Sequence, residues 1–299
     1  LSQVRQRSVY IAIRDCHKDL GCPIDTACKL LHVSRSAYNK WASGKTSRRT
    51  IENEVIAEKV EQIHIENPDK GYRRIRDDLA HDHNIHINDK RVLRICRARD
   101  IKSTIKYSNH GCTRQAKNPQ YLAENLLNRQ FYASKPNEKW LTDVTEFKWY
   151  EGFQVHKLYL SAILDLCDRR VVSYVVSERN DNPLVFKTFE KAVKENPDAH
   201  PLFHSDRGYQ YTNRAFHHKL VKAGMTQSMS RVAHCIDNGP MEGFWGILKR
   251  ERYYGKRFTS KQALIQMIHS YIRYYNTRRV QRNLGVLTPM EKHNLLLAA

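Results

Sequence analysis

Apolar residues recur at helical spacing through the first third of the chain and then give way to the alternation of strands. From Ile24 to Trp41 the pattern predicts a short helix, a turn at His32-Val33-Ser34 and a second short helix from Arg35 to Trp41, closed by Ser43-Gly44. Ser34 is placed to cap the second helix, since its hydroxyl can accept a hydrogen bond from a free backbone N–H of the first turn. Arg35, Ser36 and Asn39 then face outward, as side chains of a helix-turn-helix do toward DNA, although a plain helical hairpin satisfies the same pattern. Ile51, Val55, Ile56, Val60 and Ile63 predict a further helix, ended by Pro68 and Gly71. Tyr72 to Leu79 and, after the cap residue Asn88, Asp89 to Arg99 form a second helical pair. On its last helix Lys90, Arg94 and Arg97 share one face while Val92, Leu93 and Cys96 lie on another, so the basic face is either solvated or set against phosphates.

Beyond this the periodicity weakens into a polar linker, within which Tyr121 to Phe131 could form a helix. After Pro136 strands dominate. Trp140 to Trp149 alternates, Lys157 to Leu164 and Val171 to Val176 are apolar runs, and Asp165 to Arg170 reads as the turn joining those two. Asp181-Asn182-Pro183 opens a helix to about Glu195, Leu202 to His204 is a short strand, and Asn213 to Ala223 is a helix stopped by Gly224. Three antiparallel strands followed by helix, strand, helix, strand and a long helix define an α/β domain with a ribonuclease H-like mixed sheet and flanking helices. Four segments are expected: a helix-turn-helix at 1–45, a second helical, helix-turn-helix-like module at 46–105, a linker at 106–135 and a catalytic core with basic C-terminal helices at 136–299.

Charge sharpens this picture. The chain holds 51 Lys and Arg against 31 Asp and Glu, a formal net charge of +20, and the excess is spread along its length. Such a balance fits a polyanionic partner gripped over an extended surface, because neutralised phosphates release condensed counterions; a solvated basic surface is the duller alternative. The seven cysteines are odd in number and contain no Cys-x-x-Cys pair, which argues for reduced thiols in a cytoplasmic protein and against a disulfide frame or zinc site. No apolar run approaches the roughly 20 residues that span a bilayer, and no export leader is evident. The start at Leu1, without methionine, fits a chain fused to or paired with an upstream-frame product.

Three acids carry the chemistry. Asp143 lies within the first strand of the α/β domain, Asp206 follows the fourth in His204-Ser205-Asp206-Arg207-Gly208, and Glu242 begins a helix after Asp237-Asn238-Gly239-Pro240-Met241. If the first and fourth strands are neighbours, the two aspartates meet at one end of the sheet. Three converging carboxylates repel one another unless a cation offsets them, and an all-oxygen set favours Mg²⁺ or Mn²⁺ over zinc. Two such ions roughly 3.5 to 4 Å apart support in-line displacement at phosphorus, activating the attacking oxygen and stabilising the leaving one. Taken singly, Asp143 could be a strand-end aspartate, Asp206 a turn former and Glu242 a complement to a helix N-terminus. Competing acids have local readings: Asp165 and Asp168 fit a hairpin turn, and Asp237 is placed to cap the helix or shape the site.

With these residues in place the chain resembles the second-frame (OrfB) transposases of the insertion sequence three family, whose catalytic core is integrase-like. The marks are Trp140 to Thr145, His204 to Gly208, Asp237 to Trp245 and Tyr275-Asn276 through Leu284-Gly285 to Thr288-Pro289, and the resemblance covers nearly the whole sequence. It implies that Asp143, Asp206 and Glu242 are the Asp-Asp-Glu triad and that Lys249 contacts DNA. Helical spacing agrees, since residues seven apart share a face. Gly243 and Trp245 depart from residues common in the family. The resemblance further implies a copy-out route through a circular intermediate and a multimer bridging two element ends.

From Lys249 to Arg282 ten basic residues stand against the single acid Glu251, interleaved with Tyr253, Tyr254, Tyr271, Tyr274 and Tyr275. This mixture suits gripping a backbone and stacking on unpaired bases, although several of the tyrosines must pack the helix onto the sheet. The expected protein is a transposase that binds double-stranded DNA at the terminal inverted repeats of its element and at a target, and that cleaves 3′ ends and transfers strands with two Mg²⁺ or Mn²⁺ ions. A homo-oligomer and no membrane are expected. A non-joining nuclease of the same fold and a catalytically silent end-binding repressor are the alternatives.

Overall fold

The computed structural model describes residues 2–44, 47–105, 120–232 and 235–298. The boundary expected at 45 and most of the linker, 106–119, lie outside them. Two compact units are present, Leu1–Glu61 and Gln62–Ala299.

In the first unit, α1 (Ser2–Leu20), α2 (Ile24–Leu30) and α3 (Arg35–Ala42) surround a small core of Tyr10, Ile13, Ala27, Cys28 and Tyr38. The Tyr10 and Trp41 rings pack at a tilt, 5.5 Å between centres. Ser34 caps α3 by accepting from the Ala37 N–H at 3.2 Å, and the preceding turn passes through His32 at φ 52°. The next helix, α4 (Arg48–Glu66), runs through the division between the units.

The second unit continues with α5 (Tyr72–His83) and α6 (Asp89–Ala98), the latter capped by Asn88, whose side chain accepts from Lys90 N at 2.8 Å. Then come β1 (Lys139–Glu151), β2 (Gln154–Asp165), β3 (Val171–Ser177), α7 (Asn182–Glu195), β4 (Leu202–Ser205), α8 (Arg214–Lys222), β5 (Thr226–Met229), α9 (Gly239–Leu248), α10 (Lys261–Thr277) and α11 (Pro289–Leu297). The five strands form one mixed sheet in the order β3-β2-β1-β4-β5. β1 and β2 pair antiparallel, as do β2 and β3, whereas β4 lies parallel to both β1 and β5. Because side chains alternate along each strand, one face buries Leu141, Phe147, Leu158, Leu160 and Ala162 against Phe244, Leu248, Ile268 and Tyr271 of α9 and α10. The other buries Trp140, Ile163 and Phe203 against Val185, Phe189, Phe216 and Leu220 of α7 and α8. The result is the ribonuclease H-like sandwich expected from the order of elements.

The structure corrects one expectation here. Tyr121 to Phe131 is not a helix: Tyr121 N donates to Thr212 O, Leu126 N and Leu127 N both donate to Ser228 Oγ, and Glu124 O accepts from Met229 N. Backbone groups that a helix would satisfy internally are satisfied by the β5 side of the domain.

The basic stretch after Lys249 also differs. Arg279 pairs with Glu251 at 2.8 Å, Arg252 with Asp69 at 3.1 Å, and Arg282 with both Asp77 and Asp89 at 2.8 Å. Arg74 of α5 reaches Glu251 and Asp69, each at 3.0 Å. Arg252, Arg279 and Arg282 thus join α5 and α6 to the C-terminal part of the chain, a packing role within the basic stretch. Tyr271 and Tyr275 are buried, as the packing reading requires.

Candidate active site

Asp143 and Asp206 come together through strand register. Leu141 is paired with His204 across the parallel β1–β4 ladder, so two residues further on Asp143 stands level with Asp206, just past the end of β4. Both side chains are half-buried. Asp143 Oδ1 accepts from Val144 N at 2.8 Å and its Oδ2 from the Trp245 indole N–H at 2.9 Å. Asp206 Oδ1 accepts from Gly208 N at 2.9 Å. A Cβ at position 208 would lie 3.0 Å from the same oxygen, so any larger residue there would crowd the carboxylate.

Glu242 is delivered by the first turn of α9, which is fastened to β1 in two places. Asn238 Nδ2 donates to Thr142 O at 3.1 Å, and Trp245, one helical turn beyond Glu242, holds Asp143. The approach to α9 is fixed by Asp237, which is fully buried and receives Arg129 at 2.7 Å, Arg231 at 2.9 Å and Asn125 at 2.9 Å. These guanidinium partners hold its carboxyl well below the usual carboxylate range. Asp237 therefore shapes the site as an anchor; the N-cap position of α9 belongs to Asn238.

The electrostatics follow from this placement. Asp143 is pushed up to about 8, first by burial, then by the charge of Asp206 and to a smaller extent by that of Glu242. Burial raises Asp206, and burial followed by the charge of Asp206 raises Glu242. What lowers the two aspartates is N–H donors, from Val144, Trp245 and Gly208. The phenol of Tyr211, buried and 3.2 Å from Thr142 Oγ1, is raised well above its usual value by burial and by both aspartates. The cluster thus has an excess of negative charge and oxygen donors, the setting that suits a hard divalent cation. Among the described residues no three His, Cys, Asp or Glu side chains converge as a finished coordination sphere, and Glu242 is exposed.

Lys249 begins a π-helical turn, Lys249–Tyr253, that continues α9, and its ammonium lies 5.3 Å from the centre of the Phe147 ring on β1. Arg35, Ser36 and Asn39 are exposed on α3 of the first unit, and Lys90, Arg94 and Arg97 are exposed on α6 of the second. Asp165 and Asp168 lie at the opposite end of the sheet, in the β2–β3 turn. Asp165 accepts from Asn137 N and Cys167 N, and Asp168 from Arg170 N and His293. Sequence reasoning gave no role to Trp245, Asn238 or Tyr211. The one available signal was spacing, since Trp245 falls on the face of α9 that carries Glu242.

A mixed sheet that brings two aspartates level at the end of β1 and β4, with a glutamate supplied by the following helix, is the frame of an integrase core. The integrase core domain family matches residues 133–235 and 242–296, and an HTH-like domain family matches residues 50–108. The chain is 37% identical to the putative transposase InsK for insertion sequence element IS150 of Escherichia coli (strain K12), over 91% of this chain and 94% of that protein. It is 32% identical to the transposase for insertion sequence element IS904 of Lactococcus lactis subsp. lactis (strain IL1403), over 84% and 98% respectively. The chain belongs to the insertion sequence three family of transposases. Among solved structures it is similar to the HTLV-2 integrase catalytic core domain in complex with magnesium, with 19% identity and a TM-score of 0.41 over 54% of this chain and 99% of that one. Among the described residues no helix is long and apolar enough to cross a membrane.

Proposed function

We propose that this transposase cleaves DNA at the ends of its own insertion element and joins the freed 3′ ends to new DNA, with Asp143, Asp206 and Glu242 carrying the reaction. The observation that supports this most is the register of β1 and β4, which sets two aspartates side by side with raised pKa values and a third carboxylate on the adjoining helix.

The donor set fits Mg²⁺ or Mn²⁺, because it is all oxygen and its like charges need a counter-charge. Two such ions, when bound, supply activation of the attacking oxygen and charge stabilisation of the leaving oxygen. The protein's own part is orientation. Val144, Gly208 and Trp245 each occupy part of a carboxylate's hydrogen-bonding capacity and fix its plane, leaving further lone pairs for a cation. Lys249, seven residues beyond Glu242, contacts a phosphate of the bound DNA. The exposed Arg35, Ser36 and Asn39 of α3 and Lys90, Arg94 and Arg97 of α6 bind the terminal inverted repeats, and a homo-oligomer holds two ends together.

The test uses duplexes carrying an element end, either uncut or already cut, incubated with the purified protein and Mg²⁺. Nicked product from the first and joined product from the second are expected. Cleavage with no joining of a pre-cut end would indicate a nuclease; binding with neither product would indicate a repressor.

Trp245→Phe keeps an aromatic ring in a position only 6% exposed while removing the donor to Asp143. Loss of a partner that orients a ligand typically costs about 10- to 100-fold in metal affinity, and that weakening of Mn²⁺ binding is expected by calorimetry, with little change in thermal stability.

A further inference from the structure

β1 does not stop where the carboxylates are. β4 ends at Ser205, level with the site, yet β1 runs on from Asp143 to Glu151 and returns through β2; β3 accompanies them as far as Ser177, opposite Tyr159, and past that point the β1–β2 hairpin overhangs the carboxylate end of the sheet alone. At about 3.3 Å per residue the overhang measured from Asp143 to the turn is roughly 25 Å.

The arm is braced along its length by the segment following α9. Tyr253 packs edge-on against Phe147, and its hydroxyl meets both the N–H and the carbonyl of Lys148, at 2.8 and 3.2 Å. Tyr150 N donates to Phe258 O at 2.8 Å. Arg257 lies 4.7 Å above the Tyr150 ring and donates to Gly152 O at 2.9 Å, tying down the turn, where Gly152 takes φ 59°. Trp149 and His156 stack across the two strands. At the tip the Phe153 side chain is fully exposed, and Val155 beside it is about half exposed.

A lone exposed apolar residue is ordinary. Here the phenylalanine caps a braced arm that extends beyond the carboxylates, and the brace is cationic: Lys249 over Phe147, then exposed Lys256 and Arg257 near the tip. Of the acids on the hairpin, Glu146 pairs with Lys157 at 2.9 Å, and the exposed Glu151 lies 3.5 Å from the His156 ring. Cations that follow an arm to an exposed aromatic tip complement a phosphate backbone, with an apolar side chain placed to enter a base step.

We infer that the β1–β2 hairpin is a DNA-guiding arm whose Phe153 wedges into the duplex roughly 6 to 9 base pairs from the phosphate at the carboxylates, the separation that ~3.4 Å per base pair assigns to the overhang. This rests on the proposed reaction for the position of the scissile phosphate, and its test is read without chemistry.

End duplexes carrying 2-aminopurine at successive positions are mixed with the full chain in Ca²⁺. A fluorescence rise confined to one step in that interval is expected, lost in Phe153→Ala and retained in Phe153→Leu. Affinity for the end should fall roughly 5- to 150-fold in the alanine variant, the range set by stacking contributions. A flat profile with the wild-type chain, or an unchanged one with Phe153→Ala, would overturn the arm. So would a change in sedimentation with Phe153→Ala while the fluorescence stays the same, since the tip would then be a contact between copies. Failure of cleavage in Mg²⁺ alongside a normal fluorescence profile would instead count against the reaction.

Discussion

Asp206→Asn is expected to abolish cleavage and joining, by at least about a thousandfold, while leaving affinity for end DNA in place. The size follows from losing a ligand to ions that contribute several kcal/mol of transition-state stabilisation, each ~1.36 kcal/mol being a factor of ten. The same substitution should make the metal-free protein more stable, because it removes the charge that raises Asp143 and Glu242. The pH dependence has a definite sign. Folded Asp143 is raised to about 8 while its unfolded value is near 4, so between those limits the folded state holds a proton that the unfolded state releases. Stability from this group therefore falls as pH rises from about 4 to about 8 and is level beyond. Thermal melts in chelator should show wild type and Asp206→Asn close together at pH 4 and furthest apart at pH 8, with added Mn²⁺ raising only the wild type. A variant that cleaves normally, or that melts lower than wild type at pH 8 in chelator, would contradict this.

The second large effect is structural. Glu251→Ala should destabilise the second unit by about 3 to 5 kcal/mol, because it strands cations in a buried site. Glu251 is 7% exposed and accepts from Arg279, Arg74 and the Tyr271 hydroxyl, so its loss leaves all three without that partner. In a unit of this size the melting temperature should drop by on the order of 10 °C. Arg282→Ala is the control: its side chain is 40% exposed, and partly exposed pairs contribute at most about 1 kcal/mol. Equal effects of the two substitutions would mean that the buried network is not what fastens α5 to the core.

Glu251 also shows where the sequence stops being readable. In the primary chain it is one acid among ten bases and looks like a minor interruption; folded, it is the hub of the network, because its partners lie on α5, on α10 and just past the end of α10, remote in sequence. Periodicity identified β1 to β3 and α7 because alternation and capping are local, and placing β1 beside β4 was enough to set Asp143 against Asp206. Trp245 was not legible as a carboxylate's partner, since an aromatic on an apolar helix reads as core until the direction of its N–H is known. Tyr121 to Phe131 misled for the complementary reason: its apolar spacing suits a helix, but Ser228, Thr212 and Met229 take its backbone hydrogen bonds.

Manganese anomalous scattering from crystals grown with Mn²⁺ tests the central claim most directly. Peaks within coordination distance of Asp143, Asp206 and Glu242 together are expected in the wild type, and none there in Asp206→Asn. Clear density for all three side chains with manganese absent from among them, in crystals that also hold the element-end DNA, would contradict it.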